Sequence, residues 1–222
     1  MALVLALAVV GYPVGHAPAE ASGLPQRAGE RVAAPTVAVR ADSPAVDERS
    51  AVAVVDRFWR RHFAESGQSY RSPRVVGGYV GSSGPSCGAE PAVAGNAVYC
   101  TVGDFLAWDE QLMAAGYEQI GDGWVYLVIA HEWAHAIQAR LEQSQVSVAA
   151  ELQADCMAGA ALQGAVEQGL VSLEPGDSEE LAQGLIASAD DYPWTDVRSH
   201  GDAQQREAAF STGTDGGVNA CV

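Results

Sequence analysis

The segment "WVYLVIAHEWAHAIQARLE", residues 124–142, has the composition of a helix that other elements must enclose, yet it carries two histidines and a glutamate near its centre. A helix with so few polar positions is stable only when its neighbours cover it, so the rest of the chain has to be built around this one. His131 and His135 lie four apart, which puts them on one helical face, one turn from each other. Two imidazoles at that spacing can face a single metal ion. Glu132 is rotated by about 100° from His131, away from the ligand direction but beside the ion's open side. A base must stand there to take a proton from metal-activated water, which is why H-E-x-x-H on a helix accompanies zinc hydrolysis. Apart from His135 itself, Val128 to Ala130 and Trp133 to Ile137 are uncharged, as a helix buried behind a metal site requires. The competing view, a core helix that happens to hold two histidines, leaves buried imidazoles to be desolvated without a partner.

A second segment, "ELQADCMAG", supplies what the first lacks. A catalytic zinc site needs a third protein ligand and keeps one position for water. Glu151 and Asp155 are again four apart on one helical face. Glu151 completes a His131, His135, Glu151 set, and Asp155 can accept the second ring N–H of a ligand histidine and fix its tautomer. Taken alone, E-x-x-x-D is the pattern of a solvated helix face. The Ala, Leu, Met and Gly residues around it argue otherwise.

The chain of 222 residues is long enough for one domain with a core. It has 12 arginines, no lysine and a formal net charge of −16, so it lacks the basic face that displaces counterions from a nucleic acid. The acidity is read as a device for solubility. An apolar run from Ala2 to Val10 precedes Ala-x-Ala steps at 17–19 and 19–21, as in the hydrophobic and cleavage regions of an export signal, though without the usual positive charges ahead of it. The run is shorter than the roughly 20 apolar residues of a membrane span, so a membrane anchor could come only from this segment. Residues 1–42 are expected to be a signal or anchor remnant with a flexible linker, and 43–222 an exported domain. Four cysteines, Cys87, Cys100, Cys156 and Cys221, predict two disulfides in such a chain. Sequence alone does not choose the pairing; closeness in the chain favours Cys87 with Cys100, leaving Cys156 with Cys221. A free Cys156 would instead compete for zinc.

Ser43 and Pro44 open a helix with apolar positions at helical spacing through Val52, Val55, Phe58, Trp59 and Phe63. Residues 73–108 hold short β-branched and aromatic runs, "PRVVGGYV", "AVYCTV" and "FLAW", broken by Gly, Ser and Pro, which predict strands of a small sheet. After Asp109 the pattern is helical: 124–142, 147–170, 178–191 and a short helix near 202–211. Tyr126 and Trp133 are expected in the core. The order predicts an α+β fold, mostly helical, with the sheet ahead of the metal-binding helices.

"VIAHEWAHAIQ", "ELQADCMAG", "SADD", "SHGDAQQREAAF", "GNAVYCTVGDFLAWD" and a near-terminal Cys221 together resemble the bacterial neutral zinc metallopeptidase family, over about residues 70–222. The resemblance implies a zincin-like domain with a gluzincin-like site. It makes His131, His135 and Glu151 the zinc ligands, Glu132 the catalytic base, and one zinc ion per chain the cofactor. It implies peptide or protein substrates. His200 matches a family His-Gly and, as in thermolysin-type sites, could stabilise the developing oxyanion; the plainer alternative is a packing histidine before the last helix. Asp190 and Asp191 are expected as a solvated helix end rather than as a calcium site or a partner of His200. The chain departs from the family pattern at Ala134, Ala136 and Phe210, where the family usually has Gly, often has His, and has an aromatic pair. None of these removes a ligand. Two rival functions are a non-catalytic, zinc-stabilised extracellular binding module and a hydrolase of cell-wall peptides. A segment around residues 22–70 could also hold the chain inactive until removed.

Overall fold

A computed structural model describes residues 43–143, 147–190 and 200–222. The expected leader and linker at 1–42, and Asp191, lie outside them. The described elements run α1 (Pro44–Glu65), β1 (Arg74–Tyr79), β2 (Ala97–Cys100), β3 (Phe105–Asp109), α2 (Glu110–Gln119), α3 (Asp122–Arg140), α4 (Val148–Glu167), α5 (Asp177–Ala187) and α6 (Ala203–Gly216), then a 3-10 turn at Val218–Ala220. The fold is α+β and mostly helical, with its small sheet preceding α3 and α4, as the sequence predicts.

Helix α3 is the hub. It packs against α1, α2, α4 and α5 and against strands β2 and β3. Its buried positions, among them Trp124, Val125, Leu127, Ile129, Trp133 and Ile137, lie all around the helix, so no side is left for solvent. Trp133 is in the core as expected, with its indole N–H donating to the Tyr70 hydroxyl at 2.7 Å. Tyr126 is only partly buried, and its hydroxyl donates to Ser50 Oγ at 2.7 Å. Helix α1 buries Ala51, Val54, Val55, Phe58, Trp59 and Phe63 as one stripe.

The sheet order is β1-β3-β2, with β1 parallel and β2 antiparallel to β3. The central strand β3 is buried at every residue, and β2 forms an edge beside α3. Asp109 ends β3 fully buried. Its carboxylate accepts backbone N–H groups from Gly95, Gln111 and Gly81 at 2.6, 3.0 and 3.4 Å. One side chain thus caps α2 and gathers the loops on either side of the sheet.

Several element boundaries differ from the sequence expectation: α4 ends at Glu167 instead of 170, and α5 at Ala187 instead of 191. Residues 110–119, for which the sequence predicts no helix of their own, form α2, and α3 starts at Asp122 after Gly121, which has φ 135°. Helix α6 runs to Gly216 instead of stopping near 211. Its Gly213 is there for contact: a Cβ at that position would lie 1.8 Å from the carbonyl oxygen of Cys156, and one at Gly159 would lie 2.3 Å from that of Phe210. The missing side chains let α4 and α6 approach backbone to backbone.

Candidate metal centre

His131 and His135 project from the middle of α3, and Glu151 comes from the first turn of α4, where Ser147 accepts the N–H of Ala150 as N-cap. The positive end of α4 favours a carboxylate at that position. Glu151 Oε2 lies 3.3 Å from His131 Nε2 and 3.4 Å from His135 Nε2. The two rings stand edge to face at 4.8 Å. Only 5% of His131 and 8% of Glu151 are exposed.

Buried polar atoms are normally hydrogen-bonded, yet His131 Nε2 and Glu151 Oε2 have no such partner. Two imidazole nitrogens and one carboxylate oxygen, all within 4.8 Å of one another, form a donor set that could hold a metal ion. Nitrogen and oxygen donors of this kind suit zinc. The orphaned atoms are what a ligand set looks like when its common partner is a cation.

The atoms behind the cluster fix its orientation. His131 Nδ1 meets Asp155 Oδ1 at 2.9 Å. Asp155 is fully buried and paired to Arg206 through both carboxylate oxygens, at 2.7 and 2.8 Å. A carboxylate so held is ionised and can only accept. His131 Nδ1 therefore carries the hydrogen and Nε2 turns its lone pair into the cluster. Burial alone would push His131 toward neutrality, but the nearby carboxylates of Asp155 and Glu151 outweigh it and raise its pKa to about 10. Burial opposes ionisation of Glu151, and the two histidines outweigh that, holding its pKa well below the usual carboxylate range. Proton and metal compete for the same nitrogen.

Glu132 stands beside the cluster, and Tyr99 N–H, on the edge of β2 beside α3, donates to its Oε2 at 2.7 Å. His200 approaches from before α6: its Nε2 is 3.7 Å from Glu151 Oε2 and its ring is 5.9 Å from that of His131. Its main-chain N–H donates to Asp190 Oδ2, which also lies 3.8 Å from the ring Nδ1. Asp190, expected as a solvated helix end, thus holds the His200 backbone. Burial and the neighbouring His131 lower the His200 pKa, an effect that water screens because 46% of the side chain is exposed. His131, Glu132 and His200 share a cavity of about 260 Å³ with Leu112, Trp124 and Leu127.

All candidate residues on α3 and α4 converge here, and His200 joins them. The four cysteines form Cys87–Cys100 and Cys156–Cys221, with S–S distances of 2.01 and 2.03 Å, so Cys156 is not a thiol competing for metal. Sequence reasoning missed Arg206, Tyr99, Gln138 and Gln153. Gln138 alone had a local signal, since it follows His135 by three positions on the same helix.

Two histidines and a glutamate on adjacent helices, with a further glutamate alongside, make the H-E-x-x-H arrangement that accompanies zinc hydrolysis in other proteins. The chain belongs to the family described as putative neutral zinc metallopeptidase, whose model matches residues 2–222. It is similar to the "Uncharacterized protein YpfJ" of Escherichia coli (strain K12), with 31% identity over 212 residues, covering 80% of this chain and 72% of that protein. YpfJ of Escherichia coli O6:H1 (strain CFT073) matches with the same identity and coverage. No solved structure matches the chain.

Proposed function

We propose that the chain is a zinc-dependent endopeptidase acting on peptide or protein substrates. The observation that carries this reading is the pair of buried, unbonded atoms His131 Nε2 and Glu151 Oε2, set beside the carboxylate of Glu132. His131, His135 and Glu151 would hold the ion. Zinc, when bound, supplies a Lewis acid for water and for the scissile carbonyl. Glu132 accepts a proton from the attacking water as the water oxygen bonds to the carbonyl carbon. It then delivers that proton to the amine nitrogen as the C–N bond breaks, leaving an acid and an amine. Tyr99 N–H fixes the rotamer of Glu132 for this transfer. His200 donates from its ring to the oxygen that gains negative charge. Leu112, Trp124 and Leu127 make one wall of the cavity apolar, which suits a bulky apolar side chain next to the cut.

The two disulfides fit an oxidising, extracytoplasmic compartment. Export therefore belongs to this reading, with 43–222 as the catalytic domain and 1–42 as leader and linker.

The test is hydrolysis of a mixed peptide library by the zinc-loaded chain, beside Glu132→Gln at equal zinc content. Cleavage by the first alone supports a peptidase with Glu132 as its base. Equal cleavage by both removes Glu132 from the mechanism. Zinc bound by both with no cleavage by either turns the reading toward a zinc-stabilised binding module.

A further inference from the structure

We propose that Gln138 and Gln153 form an amide relay that holds His135 in one tautomer and is anchored at its far end by the C-terminal tail. The inference rests on the reading of His135 as a metal ligand. His135 Nδ1 meets Gln138 Oε1 at 2.8 Å. Gln138 is fully buried, and its Nε2 donates to the Ala150 carbonyl at 2.6 Å and to Gln153 Oε1 at 3.0 Å. Gln153 Nε2 donates to the Cys221 carbonyl at 2.9 Å. Cys221 is bonded to Cys156 on α4.

The direction of this chain of bonds follows from its two ends. A side-chain amide's oxygen and nitrogen are told apart by what surrounds them, and a backbone carbonyl can only accept. The Cys221 carbonyl therefore requires the NH2 of Gln153, which turns Gln153 Oε1 toward Gln138. The Ala150 carbonyl requires the NH2 of Gln138, which turns Gln138 Oε1 toward His135. Both ends agree. An amide oxygen facing the ring makes His135 Nδ1 the donor, so His135 Nε2 presents its lone pair to Glu151 and His131. Flipping either amide would set acceptor against acceptor at a main-chain carbonyl, in a region where unmet polar groups are expensive.

The two histidines are thus braced in different ways. Behind His131 stands an ion pair, and behind His135 a neutral relay. Gln138 lies on α3 and Gln153 on α4, so the relay also joins the two ligand-bearing helices. Neither glutamine touches the metal-facing atoms; both are positioning residues.

The test uses the full chain with its disulfides intact. Zinc affinity is measured by competition with a chromophoric chelator for the wild type, His135→Ala, Gln138→Leu and Gln153→Leu. Gln138→Leu should raise the zinc Kd about 10- to 100-fold, and Gln153→Leu about tenfold, the range seen when the outer partner of a ligand is lost. Long-range 1H–15N spectra of the zinc-loaded protein read the tautomer directly. The His135 Nδ1–H signal should exchange slowly in the wild type and faster in Gln153→Leu, although Gln153 does not touch that ring. A merely structural role would leave that signal alone. Should the buried Gln138→Leu form not fold, the half-buried Gln153 position decides by itself. Unchanged affinity and exchange in the glutamine variants, with zinc lost in His135→Ala, overturns the relay and leaves the metal site standing. A Gln138 effect without a Gln153 effect overturns the part assigned to the tail. Zinc affinity unchanged in His135→Ala as well overturns the ligand reading itself.

Discussion

Arg206 grips Asp155 with Nη2 2.7 Å from Oδ1 and Nε 2.8 Å from Oδ2, and the same Oδ1 faces the ring Nδ1 of His131 at 2.9 Å. The arginine is 2% exposed and the aspartate fully buried. Helix α6 supplies none of the three clustered side chains but orients one of them. Arg206→Met would leave a buried carboxylate without its countercharge, a loss of about 3–5 kcal/mol in cases of this kind. Urea unfolding of the metal-free protein reads that loss. Zinc affinity should fall with it, about 10- to 100-fold; retained affinity would confine Arg206 to holding the fold.

His200 Nε2 lies 3.7 Å from Glu151 Oε2 without being part of the donor set, and the proposed function gives it a donor's role toward the oxygen that gains charge. For His200→Ala, zinc stoichiometry should be unchanged and kcat should fall about 100- to 1,000-fold, the scale of losing one donor to a developing oxyanion. Steady-state kinetics with a cleaved library peptide, alongside metal analysis, distinguishes this from loss of the ion. A full kcat would make His200 a packing residue.

Asp109 gives the sheet region a pH dependence of known sign. Burial opposes its ionisation, but the N–H groups of Gly95, Gln111 and Gly81 outweigh burial and lower its pKa. Folding therefore favours the charged form. The stabilisation is complete above the unfolded-state value of about 3.9 and is lost as pH falls through the lower folded-state value. Asp109→Asn should be less stable at pH 7 by about 1–3 kcal/mol. The gap from wild type, followed by urea unfolding from pH 7 downward, should close in acid. A gap that stays constant would mean that shape rather than charge matters at this position.

Gly213→Ala places a methyl group where the Cys156 carbonyl oxygen already sits. Helix α6 must move away from α4, at a cost of about 1–3 kcal/mol or more. Because Arg206 rides on α6, zinc should be retained less well too. Thermal unfolding and the chelator assay read the two effects, and an unchanged melting temperature would show that the helix pair yields easily.

The parts of this molecule legible in the sequence are those written at helical spacing. His131 with His135, and Glu151 with Asp155, repeat every four residues, so their shared faces follow from the period alone. The strands showed themselves through β-branched runs between glycines. What stayed hidden depends on contacts across the chain. Nothing near Asp155 announces Arg206, 51 residues away, and nothing near Gln153 announces the Cys221 carbonyl, 68 residues away. The end of α6 was misjudged because "STGTDGG" has the composition of a helix stop, whereas Gly213 is small for the sake of α4. Helix α2 was not singled out because it is short and buries only Met113, which leaves little apolar pattern to read.

Those long separations also set an order in time. A ribosome delivers a chain from its N-terminus, so the side chains of His131, His135 and Glu151 all emerge before Arg206 or Cys221 exists. A nascent chain thus holds a complete donor set with nothing yet behind Asp155 or Gln153. Synthesis of α6 and formation of the Cys156–Cys221 bond come afterward. Arg206 and Cys221, the partners of Asp155 and Gln153, are thus among the last of the groups around this cluster to be made.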